Sequence, residues 1–102
     1  MNTPKDKVNM QQIHKAKLGW STVGKSINAL YTTGDFATGL KFVNLIGASA
    51  EANNHHPDIE LSYDTVKVSL TSHDVGEITE RDLALAEIIN SHAESLGFKR
   101  SP

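Results

Sequence analysis

Apolar and polar residues alternate most cleanly from Val66 to Thr71, with Val66, Val68 and Leu70 on one side and Lys67, Ser69 and Thr71 on the other. A period of two marks a strand with one buried and one polar face, as is common in antiparallel sheets. Ser26 to Thr32 repeats the pattern, with Ile27, Ala29 and Tyr31 set against Asn28 and Leu30. Ile59, Leu61 and Tyr63 supply a third alternation, and a short extended piece from Trp20 that turns near Gly24 supplies a fourth. The period becomes helical after Thr33-Gly34-Asp35, a helix-start signal. Phe36, Leu40, Val43, Gly47 and Ala50 recur as one stripe, and Phe42, Leu45 and Ile46 widen the apolar surface beyond it. A helix apolar over that much of its circumference is expected to touch the sheet on one side and another subunit on the other. Asn53-Asn54 stops this central helix, and Pro57 prevents it from resuming. Thr79-Glu80-Arg81-Asp82 is a capping-box-like start for a C-terminal helix with Ala86, Ile89 and Ala93 as its buried stripe and Gly97 at its end. Residues 6–16 read as a short polar N-terminal helix.

The order α-β-β-α-β-β-α predicts an α+β fold, a four-stranded antiparallel sheet with helices packed on one face. At 102 residues the chain suits one domain spanning residues 1–102. Such a sheet has two open edges, which a small protein can pair in a symmetric oligomer, so a homodimer or homotetramer is expected.

Composition narrows the function classes. A formal charge of −2 and only 10 Lys and Arg leave no basic footprint for nucleic acid or an anionic membrane. Lys15, Lys17, Lys99 and Arg100 read as solvated terminal charges. Zero Cys excludes disulfides, thiol catalysis and thiolate metal sites, and fits a reducing compartment. No apolar signal segment opens the chain, and the most apolar window, residues 42–50, is interrupted by Asn44 and Ser49 and is too short to span a bilayer. A soluble, cytoplasmic domain is therefore expected.

Dinucleotide, P-loop, zincin and nucleophile-elbow motifs are all absent. What stands out is Glu51, His55, His56 and Pro57 at the exit of the central helix, with His73 at the end of the clearest strand and Asp82 on the first turn of the last helix. If the central helix runs to Asn54, Glu51 lies one turn before His55 and within reach of its imidazole. A carboxylate there would orient the ring and favour its protonated form. Asp82 precedes Ala86, Ile89 and Ala93 by four, seven and eleven residues, so it lies on the buried stripe. Burying it unpaired is expensive, so it needs a partner. Plainer readings stand beside these: His-His-Pro as a helix stop with solvated rings, Asp82 as the capping-box acid of Thr79, His73 as a polar-face strand residue, and Trp20 and Tyr63 as core aromatics. His14 and His92 read as surface or packing residues.

The spacing of the whole set decides between them. Glu51-x-x-x-His55-His56-Pro57, then five residues, Tyr63, nine residues, His73, eight residues and Asp82 resembles the signature of the pterin-4a-carbinolamine dehydratases. These are also known as dimerisation cofactors of a homeodomain transcription factor. Gly19-Trp20, Asp35-Phe36, the run from Lys67 to Asp74, and Thr79-Glu80-Arg81-Asp82 carry the resemblance from about Trp20 onward. It implies dehydration of a 4a-hydroxytetrahydropterin to quinonoid dihydropterin and water, in tetrahydrobiopterin recycling, with no metal and no organic cofactor. It further implies His55 and His73 as acid and base, His56 as a pterin-orienting residue, and Glu51 and Asp82 as carboxylates that fix the histidines. Asn54, Thr71, Ser72, His73 and Asp74 occupy substrate-contacting positions of the family, and Trp20 that of a pterin-facing aromatic. Because some family members bridge transcription-factor subunits, a non-catalytic dimerisation or coactivator-type module is the alternative. A metal-binding protein using three His and two carboxylates is a second rival.

Overall fold

The computed structural model describes residues 19–98 and Arg100, so the expected N-terminal helix lies outside the described residues. Within them the chain runs β1 (Ser21–Val23), β2 (Ser26–Thr32), α1 (Phe36–Asn53), β3 (Asp58–Leu61), β4 (Thr65–Leu70) and α2 (Glu80–Leu96). All pairings are antiparallel and the strand order is β1-β2-β4-β3, an α+β sheet with both helices on one face.

Register follows from the alternation in the sequence. Ile27 pairs with Leu70, Ala29 with Val68 and Tyr31 with Val66, all six buried on the helix-facing side. Leu30 and Lys67 pair on the open face. A slip of one residue would send the buried set to solvent, so the pattern itself holds the register. β3 ends one alternation earlier than expected. The Ser62 N–H bonds back to the Thr65 carbonyl at 2.9 Å, which closes a tight turn and leaves Tyr63 exposed at its tip.

The central helix begins where expected, with the Asp35 carboxylate accepting from Thr38 N–H at 2.7 Å. That backbone bond holds the Asp35 carboxyl below its ordinary range. Its buried stripe differs from the one expected, however. Gly39, Phe42, Ile46 and Ala50 face the core, while Phe36 and Leu40 are exposed and Val43 and Gly47 half-buried. The contact stripe is thus rotated by about 75° around the axis and shares only Ala50 with the expected one. Gly39 lies at the close approach of this face to the sheet. A Cβ built there would lie 2.8 Å from Leu61 Cδ1 and 3.3 Å from Thr33 Oγ1, so a larger residue would require at least the Leu61 side chain to shift.

α2 closes the core with Leu85, Ala86, Ile89 and Ala93. Tyr31, fully buried, meets Phe42 edge-on at 4.8 Å and Phe98 at 6.1 Å. Its hydroxyl donates to Asn90 Oδ1 at 2.5 Å, and Trp20 Nε1–H donates to the same oxygen at 3.0 Å. Burial pushes the Tyr31 hydroxyl well above its ordinary range, against the opposing pull of Arg100 and the hydrogen bond with Trp20. Arg100 is not the solvated terminal charge expected. Its backbone bridges to Tyr31 and its guanidinium covers Gly19, where a Cβ would stand 2.1 Å from it.

The rotated stripe carries a direct expectation. Phe42→Ala should lower the unfolding free energy by about 3–5 kcal/mol and Ile46→Val by about 0.5–1.5 kcal/mol, both read from urea denaturation.

Candidate active site

Three chain segments end at one place: the exit of α1, the exit of β4 and the first turn of α2. α1 stops because Asn54 adopts a left-handed conformation, φ 49 and ψ 43, with its N–H returned to Ala50 and Glu51 carbonyls. Asn tolerates this region better than most side chains. The His55 N–H then bonds back to the Ala50 carbonyl at 3.1 Å, and Pro57 bars further helix.

That turn redirects both imidazoles. His55 goes inward, 8% exposed, with Nε2 2.5 Å from Asp82 Oδ1. His56 stays outside and its Nε2 pairs with Glu51 Oε2. The expected pairing of Glu51 with His55 is therefore corrected. Helical spacing would set them one turn apart, but the left-handed residue between them breaks the helix and passes Glu51 to the next histidine.

Asp82 combines the two roles considered for it. It is fully buried on the core stripe of α2, and it is also the capping-box acid, its Oδ2 accepting from Thr79 N–H at 2.8 Å. The Ser72 hydroxyl donates to the same oxygen at 2.9 Å. Three donors around one desolvated carboxylate meet the requirement that a buried charge be hydrogen-bonded.

The β4 exit turns tightly through residues 73–76, held by Val75 and Gly76 N–H bonds to the Ser72 carbonyl at 3.1 and 2.8 Å. This presents His73 and Asp74 at the surface. The Arg81 guanidinium donates to Asp74 Oδ1 at 2.7 Å and ties the turn to α2. Thr71 donates to the Lys25 carbonyl at 2.5 Å, anchoring the β1–β2 turn to the same end of the sheet.

A cleft of about 260 Å³ opens between these segments, lined by Asn54, His55, His56, Thr71, His73, Asp74 and Arg81. Six of these residues are ones that the sequence resemblance places at substrate. Ser72 and Asp82 stand behind the cleft with no exposure. Trp20 is not brought to it, since its ring is buried in the core and its N–H is held by Asn90. Arg81 is the lining residue that sequence reasoning passed over. Its place beside Asp82 in the capping box was the available signal, and its Nε is a buried donor with no hydrogen-bond partner among the described residues. Those residues contain no group of three or more His, Asp or Glu placed to hold a metal ion. His92 bonds across the helices to Ser49 at 2.7 Å.

The two carboxylates should differ sharply in what they hold up. Asp82→Ala orphans three buried donors and uncaps α2, and should cost about 2–4 kcal/mol. Glu51→Ala, in an exposed pair, should stay within about 0.5 kcal/mol of the unmodified chain. Paired urea denaturation curves read both.

Comparison with known proteins identifies the family. Curated relatives from Cyanothece sp., 44% identical over 71 residues covering 70% of this chain and 73% of theirs, and from Koribacter versatilis, 44% over 72 residues covering 71% and 77%, carry the provisional name pterin-4-alpha-carbinolamine dehydratase. So does one from Nitrobacter hamburgensis, 41% identical over 85 residues covering 81% and 84%. The crystal structure of a transcriptional coactivator/pterin dehydratase from Brucella melitensis superposes with a TM-score of 0.80 at 27% identity, over 86% of this chain and 99% of that one. A pterin dehydratase-like protein identified as a RuBisCO assembly factor shares the fold alone, with a TM-score of 0.61 at 19% identity over 72% of this chain and 86% of that one. A family model described as pterin 4 alpha carbinolamine dehydratase matches residues 3–92, and the chain belongs to that family of hydro-lyases.

Proposed function

We propose that this protein dehydrates a 4a-hydroxytetrahydropterin such as 4a-hydroxytetrahydrobiopterin, by histidine acid–base catalysis, in tetrahydrobiopterin recycling within the cytoplasm. The observation that carries this reading is the His55–Asp82 pair, built into the core yet opening onto a cleft that also holds His56 and His73.

The reaction breaks the C4a–O bond and the N5–H bond and forms the C4a=N5 double bond. The departing hydroxide must gain a proton and N5 must lose one. Imidazoles change charge near neutral pH and can do both, contributing about 10²–10⁴-fold per well-placed group. His55 and His73 take these roles. His55 comes from inside the cleft with its ring fixed by Asp82, and His73 comes from the turn after β4. His56, steadied by Glu51, orients the pterin, together with Asn54, Thr71 and Asp74. Arg81, whose guanidinium donates to Asp74, completes the wall beside that residue.

A second observation favours self-association. Phe36 and Leu40 form an exposed apolar strip on α1, and β1 and β3 are sheet edges. We read these as contacts in a homodimer or homotetramer of a one-domain chain. Among the described residues no helix is long and apolar enough to cross a membrane.

Stopped-flow absorbance of freshly generated 4a-hydroxytetrahydrobiopterin tests the activity. The protein should speed quinonoid formation, and His73→Ala should remove about 10²-fold or more of that acceleration. No acceleration by folded protein would reject the reading and turn it toward a non-catalytic assembly module, whereas acceleration that His73→Ala leaves unchanged would remove His73 from the chemistry. Light scattering should find Leu40→Glu as a smaller species than the unmodified chain; an unchanged mass would remove the strip from the interface.

A further inference from the structure

Ser72 sits among the residues that the resemblance assigns to substrate contact, yet it has no solvent exposure and cannot touch a ligand in the cleft. Its hydroxyl faces the other way. It donates to Asp82 Oδ2 at 2.9 Å and lies 2.7 Å from Thr79 Oγ1, and all three residues are fully buried.

Counting protons gives this cluster a direction. An ionised carboxylate only accepts, and a hydroxyl has one proton to give. Ser72 gives its proton to Asp82, so the Ser72–Thr79 bond is carried by the Thr79 proton. The Thr79 oxygen is then free to accept from the Arg81 N–H at 3.3 Å. The Thr79 backbone N–H donates to Oδ2 as well, so that oxygen has two donors. Oδ1 is left to His55, and because the carboxylate only accepts, the His55 nitrogen facing it carries a hydrogen.

We infer that Ser72 and Thr79 are positioning residues for the dehydration: they lock Asp82 so that Oδ1 accepts the Nε2 proton of His55, which fixes one tautomer and leaves Nδ1 as the working nitrogen of that ring. The catalytic part rests on the reading that His55 acts on the pterin. A neutral imidazole otherwise divides between two tautomers, and only the one with a lone pair at Nδ1 can serve as base there. Thr79 thus couples the start of α2 to the chemistry, because the residue that caps the helix also feeds the clamp. A small misplacement of a catalytic group costs up to about 10²-fold.

The test compares the full-length chain, Ser72→Ala and Ser72→Thr by long-range proton–nitrogen NMR of the histidine rings, at a pH where the imidazoles are neutral, beside steady-state kinetics. The unmodified chain should show His55 as a single Nε2–H tautomer with a slowly exchanging ring proton. Ser72→Ala should show mixed tautomers and fast exchange, with kcat down about 10- to 100-fold and KM within about threefold. Ser72→Thr, which restores the hydroxyl, should recover both. Should Ser72→Ala fail to fold by circular dichroism, Thr79→Val keeps the Thr79 N–H to Asp82, removes the hydroxyl that donates to Ser72 and accepts from the Arg81 N–H, and should shift the tautomer in the same direction. A folded Ser72→Ala that keeps one tautomer and slow exchange overturns the inference, as does a loss of kcat that Ser72→Thr does not recover. The NMR readout needs no turnover. A wild-type chain that dehydrates no pterin rejects the functional reading, while the tautomer spectra still decide for or against the clamp.

Discussion

A carboxylate with no access to water sits at the meeting point of this fold, and much of the structure follows from keeping Asp82 hydrogen-bonded. An ion taken out of water without partners would be among the most unfavourable features a chain this small could hold. Its donors come from three separate places: the ring that follows α1, the hydroxyl just after β4, and the backbone that begins α2. Each donor pins the end of one element. The same contacts that satisfy the charge therefore gather the chain ends from which a cleft can be built.

The two adjacent histidines show how one backbone conformation divides labour. A continued helix would have turned His55 toward Glu51. The left-handed Asn54 instead sends His55 into the core and His56 into solvent, each to its own carboxylate. The inner pair is shielded and rigid, suited to a group that must meet a reacting atom in one geometry. The outer pair is screened by water and holds its ring loosely, which suits contact with the body of a ligand. His73, from a third direction, sits on a turn stiffened by its own backbone bonds and by the Arg81–Asp74 pair.

Away from the site, packing is set by a close approach. Gly39 sits where α1 approaches Leu61 and Thr33, and the same face places Phe42 against Tyr31 and Phe98. That orientation also leaves Phe36 and Leu40 outside, which is the physical ground for expecting a second chain there. The far end of the core is closed by a polar group as well, Asn90 accepting from both Trp20 and Tyr31.

Elements whose signals are local were legible in the sequence. The strand Ser26–Thr32, the alternation in β4, the caps at Asp35 and Thr79 and the stops at Asn54 and Gly97 each depend on neighbours within a few residues, and the structure has them where the pattern puts them. The site residues were legible as a set because their spacing is unusual and because Asp82 lies on an apolar stripe. What sequence could not supply was which groups meet. The pairing of His55 with Asp82, the retreat of Ser72 behind the cleft, the arrival of Arg81 in it, the burial of Trp20 elsewhere and the packing of Arg100 on Gly19 all join residues distant along the chain. The α1 stripe departed from the expected one for a related reason. Hydrophobicity marks which side chains favour burial, but the face that wins is the one whose shape fits the sheet, and that face includes Gly39, which carries no hydrophobic signal.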